Sequence, residues 1–88
     1  MSWAARTVID RETYERFIRD LGLYVREQAI AAKQQRDDAR KGSEQKSISF
    51  GRAVAYAEVV SAMQDYLRAF EIPFEDMCLQ DFDPDKLL

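Results

Sequence analysis

The sequence predicts an all-α protein, a long antiparallel helical hairpin with a short helical C-terminal extension, and three observations carry that expectation. Apolar side chains recur at intervals of three and four through two long stretches. A polar, glycine-led break, Gly42 to Lys46, separates the stretches. The second stretch is closed by Ile72-Pro73, because the residue before a proline avoids helical geometry.

Residues 1–9 read as a short N-terminal arm containing Trp3, and the first helix is expected over 10–41. Asp10 is its N-cap, with Ile9 and Tyr14 in the positions of a hydrophobic staple. Tyr14, Phe17, Ile18, Leu21, Tyr24, Val25, Ala29 and Ala32 define the apolar face. Glu12, Glu15, Arg16, Arg19, Arg26 and Glu27 define the solvated one, with Glu12–Arg16 and Glu15–Arg19 as i,i+4 pairs. From Ala29 to Arg40 every residue is compatible with a helix. Arg40 and Lys41 suit the negative end of the dipole, and Gly42 suits the left-handed position beyond it. Gly22, inside the helix, predicts a close contact or a slight bend.

Ser43, Ser47 and Ser49 can each cap the second helix, and Ser47 is preferred, with the helix expected over 47–71. Phe50, Ala53, Val54, Ala57, Val60, Met63, Leu67 and Phe70 form its stripe, widened by Tyr56, Val59 and Tyr66. Gly51, Ala53, Ala55 and Ala57 allow close approach of another helix. Residues 73–88 form an acidic C-terminal segment in which Pro73 and Asp83-Pro84 open short helical turns. Phe74 and Met77 are expected to seal the chain's own bundle, while the terminal Leu87 and Leu88 are expected to be mobile.

Eighty-eight residues form one domain with little core to spare. The stripe on the second helix spans well over the ~100° that one neighbour covers. The candidates for covering the rest are the C-terminal segment folding back, a second copy or a different protein. A second copy is the expected cover, giving a homodimeric four-helix bundle, since two-fold dimers are the commonest oligomers. Tyr56, Val59, Val60, Met63 and Tyr66 are the candidate self-association face.

Catalytic constellations are poorly served. There is no histidine, so Ser-His-Asp and Cys-His arrangements are absent, and the single Cys78 reads as a small packed residue. Glu12-x-x-Glu15 has the spacing found in helical nucleoside triphosphate pyrophosphohydrolases. The second helix, however, answers it only with the isolated Glu58 and Asp65. Gly22, Gly42 and Gly51 form no phosphate-binding loop. No cofactor or metal is expected, and the chain is read as acting through protein association, as a small regulatory or adaptor protein.

Nucleic acid is the alternative partner. Residues 1–46 carry ten Lys/Arg against eight Asp/Glu, whereas 47–88 carry three against eight. Lys33, Arg36, Arg40, Lys41 and Lys46 gather near the hairpin tip as candidate contacts, but Asp37, Asp38 and Glu44 interrupt them, and the net charge is −3. No leader sequence or long apolar run is apparent, so the expected location is the cytoplasm, away from the membrane.

Overall fold

The structure, a computed structural model, describes residues 10–88; the expected arm with Trp3, and Ile9 of the expected staple, lie outside the described residues. Two antiparallel helices, α1 (Arg11–Asp38) and α2 (Glu44–Ala69), form a hairpin. Two single-turn 3-10 segments, Phe74–Met77 and Pro84–Leu87, follow. The described residues contain no strand. They form an elongated slab of 55 × 31 × 17 Å.

Asp10 caps α1 by accepting a hydrogen bond from the Thr13 N–H at 2.8 Å. That bond holds its carboxyl below the ordinary carboxylate value. On the exposed surface of the first turn, Glu15 pairs with Arg11 at 2.8 Å in place of the expected Arg19. The helix ends at Asp38 and not at Lys41, with Ala39 already extended. Asp37 and Asp38 sit at the negative end of the helix dipole, where acids oppose further extension. Lys46 reaches back to donate to the Arg36 carbonyl and so terminates the ladder.

The turn is correspondingly tight. Gly42 adopts φ 79°, a conformation that a β-carbon penalises, and it delivers Ser43 to the cap of α2. Ser43 Oγ accepts from the Lys46 N–H at 3.1 Å, so α2 starts one turn earlier than the expected Ser47. Glu44 in its first turn complements the positive end of the dipole.

At the other end, Ile72 donates to the Leu67 carbonyl and Glu71 to that of Arg68, a paired arrangement that closes α2. Glu71 occupies the left-handed position with φ 58°. Glycine is the residue that position favours. Glu71→Gly is therefore expected to raise stability by about 0.5–1 kcal/mol in urea titration. A loss of stability would show that the Glu71 side chain makes a contribution larger than the backbone strain.

The two helices meet through small residues. Ala29 and Ala32 of α1 and Ala53 and Ala57 of α2 are almost fully buried, and side chains this small permit close approach of the two axes. The remaining core is supplied by the C-terminal segment. Leu79 packs with Val60 and Leu67, and Leu87 joins Ala29 and Ala57. Leu87 is 2% exposed, contrary to the mobility expected of a terminal residue, because the groove between two alanine-lined helices accepts its side chain.

Gly22 owes its place to this segment and not to α2: a β-carbon there would lie 1.9 Å from the Met77 carbonyl oxygen. Arg26, expected in solvent, donates instead to the carbonyls of Cys78 and Gln80 at 2.8 and 2.9 Å. Gln64 donates to that of Phe82 at 2.7 Å. Arg68 and Arg26 also lie over the rings of Phe74 and Phe82, each about 5.1 Å from the centroid. The segment therefore covers one broad face of the hairpin along its length.

Candidate interaction face

Covering one face leaves the other. The C-terminal segment occupies the side marked by Gly22 and Arg26 on α1 and by Gln64 and Arg68 on α2. On the opposite side the hairpin is crossed by a hydrogen bond from Arg52 to the Gln35 side chain. Helical periodicity assigns the residues that share this open side. On α1 they include Phe17, Leu21 and Tyr24, followed by Gln28 and Gln35. On α2 they are spaced by alternating fours and threes from Ile48 through Arg52, Ala55, Val59, Ala62 and Tyr66, with Phe70 at the end. Alternating four and three is the heptad spacing of a helix that meets another helix along a seam.

The exposures are high for side chains of this kind. Phe17 is 63% exposed, Tyr24 59%, Tyr66 67% and Phe70 70%. Where α1 begins and α2 ends, Ile18, Met63, Tyr66, Phe70, Ile72 and Met77 line an apolar depression of about 230 Å³. Its wall is nearly devoid of polar atoms, so a ligand there would be recognised by shape and apolar burial.

The five residues of the expected self-association face do not share one environment. Val59 and Tyr66 are exposed, and Tyr56 and Met63 are half-buried against the core at the edge of the open side. Val60 is fully buried beneath Leu79 and belongs to the hydrophobic core, not to an outer face. A one-residue step rotates a helical side chain by roughly 100°, enough to move it from surface to interior. The candidate face read from the sequence leaves out Ile48, Arg52, Ala55 and Ala62, although Ala55 is there counted among the small residues that allow close approach of another helix. The heptad spacing was legible there, but alanine and arginine attract no attention in a hydrophobicity pattern.

The five cationic residues of the hairpin tip are also distributed among different tasks. Lys33 pairs with Asp37 at 3.1 Å, and that bond is the leading cause of the Asp37 carboxyl lying below its ordinary value. Arg36 is buried at 9% exposure and donates to the Leu87 carbonyl, tying the C-terminus to α1. Lys46 caps α1. Arg40 and Lys41 are exposed. A phosphate backbone would therefore meet two of the five cations directly, while Arg36 faces inward.

Among the described residues, no three acidic or cysteine side chains gather into a metal-binding group, and Glu12 and Glu15 lie on exposed surface of α1. Cys78 is half-buried at a left-handed position, φ 55°, closing the first 3-10 turn, and its carbonyl is the group engaged by Arg26. Every buried side-chain nitrogen and oxygen among the described residues has a hydrogen-bond partner. No described helix is long and apolar enough to cross a membrane. No protein-family model matches the chain, and no curated protein or solved structure matches it significantly.

Proposed function

We propose that this protein works by association without catalysis of its own: the open face of the hairpin is its working surface, and it closes onto a second copy as a four-helix bundle. One observation carries the reading. Among the described residues, seven large apolar side chains of the open side are exposed, Phe17, Leu21, Tyr24, Ile48, Val59, Tyr66 and Phe70, whereas the buried apolar core is eight residues, four of them alanine. A chain whose buried core is half alanine while Phe17, Tyr24, Tyr66 and Phe70 stand exposed has a large apolar area still to bury. Monomers rarely expose contiguous apolar patches beyond a few hundred Å². A second copy supplies the missing half of the core, in the geometry by which helical hairpins pair into bundles.

Light scattering over a tenfold concentration range is expected to give a mass near twice the 10.2 kDa chain. Val59→Glu puts a carboxylate from each copy into the middle of the face, where an unpaired buried charge costs several kcal/mol. The variant is expected to run at the chain mass with its helical circular dichroism retained, since Val59 is 45% exposed in the single chain. A wild-type protein that stays at the chain mass throughout would refute self-association.

A further inference from the structure

We infer that the second copy lies antiparallel on the open face, with the two-fold axis crossing α2 at Val59; this rests on the self-association proposed above and specifies its geometry. In an antiparallel two-fold pairing, residues equally far before and after the axis face each other. The open flank of α2 is complementary about Val59 in that sense. Three residues out stand Tyr56 and Ala62, and four residues out stand Ala55 and Met63, so at both levels a large side chain of one copy meets alanine of the other. Seven residues out, Arg52 meets Tyr66, a guanidinium against an aromatic face. Eleven residues out, Ile48 meets Phe70. The offsets four, seven and eleven return an α-helix to within about 40° of one side and the offset three to within about 60°, so Tyr56 stands at the inner edge of the seam and Ala62 at its outer edge, where it also borders Asp85 and Leu88. Large against small is the arrangement that lets facing layers interdigitate at interior packing density.

The first helix agrees on the axial level. The core neighbours Ala29 and Ala57, and the bonded pair Gln35 and Arg52, set Gln28 beside Val59 along the hairpin. The same axis therefore brings Gln28 of each copy together, two amides able to satisfy one another.

Charge and area fit as well. Each chain carries a net −3, which repels like chains, yet the α2 seam contains no carboxylate and a single cation, Arg52. From Ile48 to Phe70 the seam runs ~33 Å. Two helices side by side are about 20 Å wide, so each copy offers roughly 650 Å², near the ~800 Å² per partner of stable interfaces.

The test uses the full chain with Cys78→Ser as background. Val59→Cys is expected to form an intermolecular disulfide under mild oxidation, because the two sulfurs meet at the axis. Ile48→Cys is expected to resist cross-linking, its two copies lying ~33 Å apart. Since a substitution in the seam can itself disturb association, a spin label on Lys41→Cys at the exposed tip provides an independent reading. Antiparallel copies place the tips roughly 50 Å apart, parallel copies within ~25 Å. A dimer that cross-links through Ile48→Cys and holds its tips close overturns the antiparallel axis while leaving self-association intact. A wild-type protein at the chain mass overturns both.

Discussion

Leu79→Ala is expected to lower the unfolding free energy by about 2–5 kcal/mol, the range for removing a buried leucine from a packed site. Leu79 is fully buried and lies across Val60 and Leu67 of α2, and its N–H is held by the Phe74 carbonyl at 3.0 Å. The backbone on either side is anchored by Arg26 through the Cys78 and Gln80 carbonyls, so the site cannot easily collapse around the lost methyl groups. A small domain has only ~5–15 kcal/mol to lose, and this one substitution removes a large share of it. Urea denaturation of variant and wild type at one fixed protein concentration reads the difference. A loss below about 1 kcal/mol would mean that the segment from Pro73 onward does not supply the core and that the hairpin is sealed in another way.

Gly22→Ala is the second large effect, and its sign is diagnostic. In an exposed helix interior, alanine in place of glycine stabilises by about 1 kcal/mol. Here the added β-carbon would overlap the Met77 carbonyl, a backbone group that cannot rotate out of the way as a side chain would. The first 3-10 turn must move off α1, and overpacking of this kind costs about 1–3 kcal/mol. The expected result is net destabilisation with a smaller denaturant m-value, because the displaced segment no longer contributes area buried on folding. Stabilisation by the helix-propensity increment alone would show that the segment does not rest on Gly22.

Much of the hairpin is legible in the amino-acid sequence. Asp10, the three-and-four spacing and Ile72-Pro73 are local signals, each acting within a turn or two of chain. The helix ends near the tip are less legible, because three serines and two cations offer competing caps. The choice of Ser43 depends on Gly42 turning the chain just before it and on Lys46 reaching the end of α1. Among the site residues, Val59 and Tyr66 can be read from hydropathy. Val60 cannot be separated from Val59 that way, since adjacent valines score alike and only the position of Leu79 puts one inside.

Two long helices joined by a tight polar turn, with apolar stripes wider than one neighbour can cover, follow from the amino-acid sequence alone. Those are properties of backbone preference and periodicity, which act over a few residues. Which part of that width the chain covers itself emerges from the packing of the whole chain. The answer turns on contacts 50 or more residues apart: Arg26 with Cys78 and Gln80, and Arg36 with Leu87. These bonds end on backbone carbonyls, which every residue carries, so no side-chain pattern announces them. By laying the C-terminal segment over one face, they leave Phe17, Tyr24, Tyr66 and Phe70 exposed on the other.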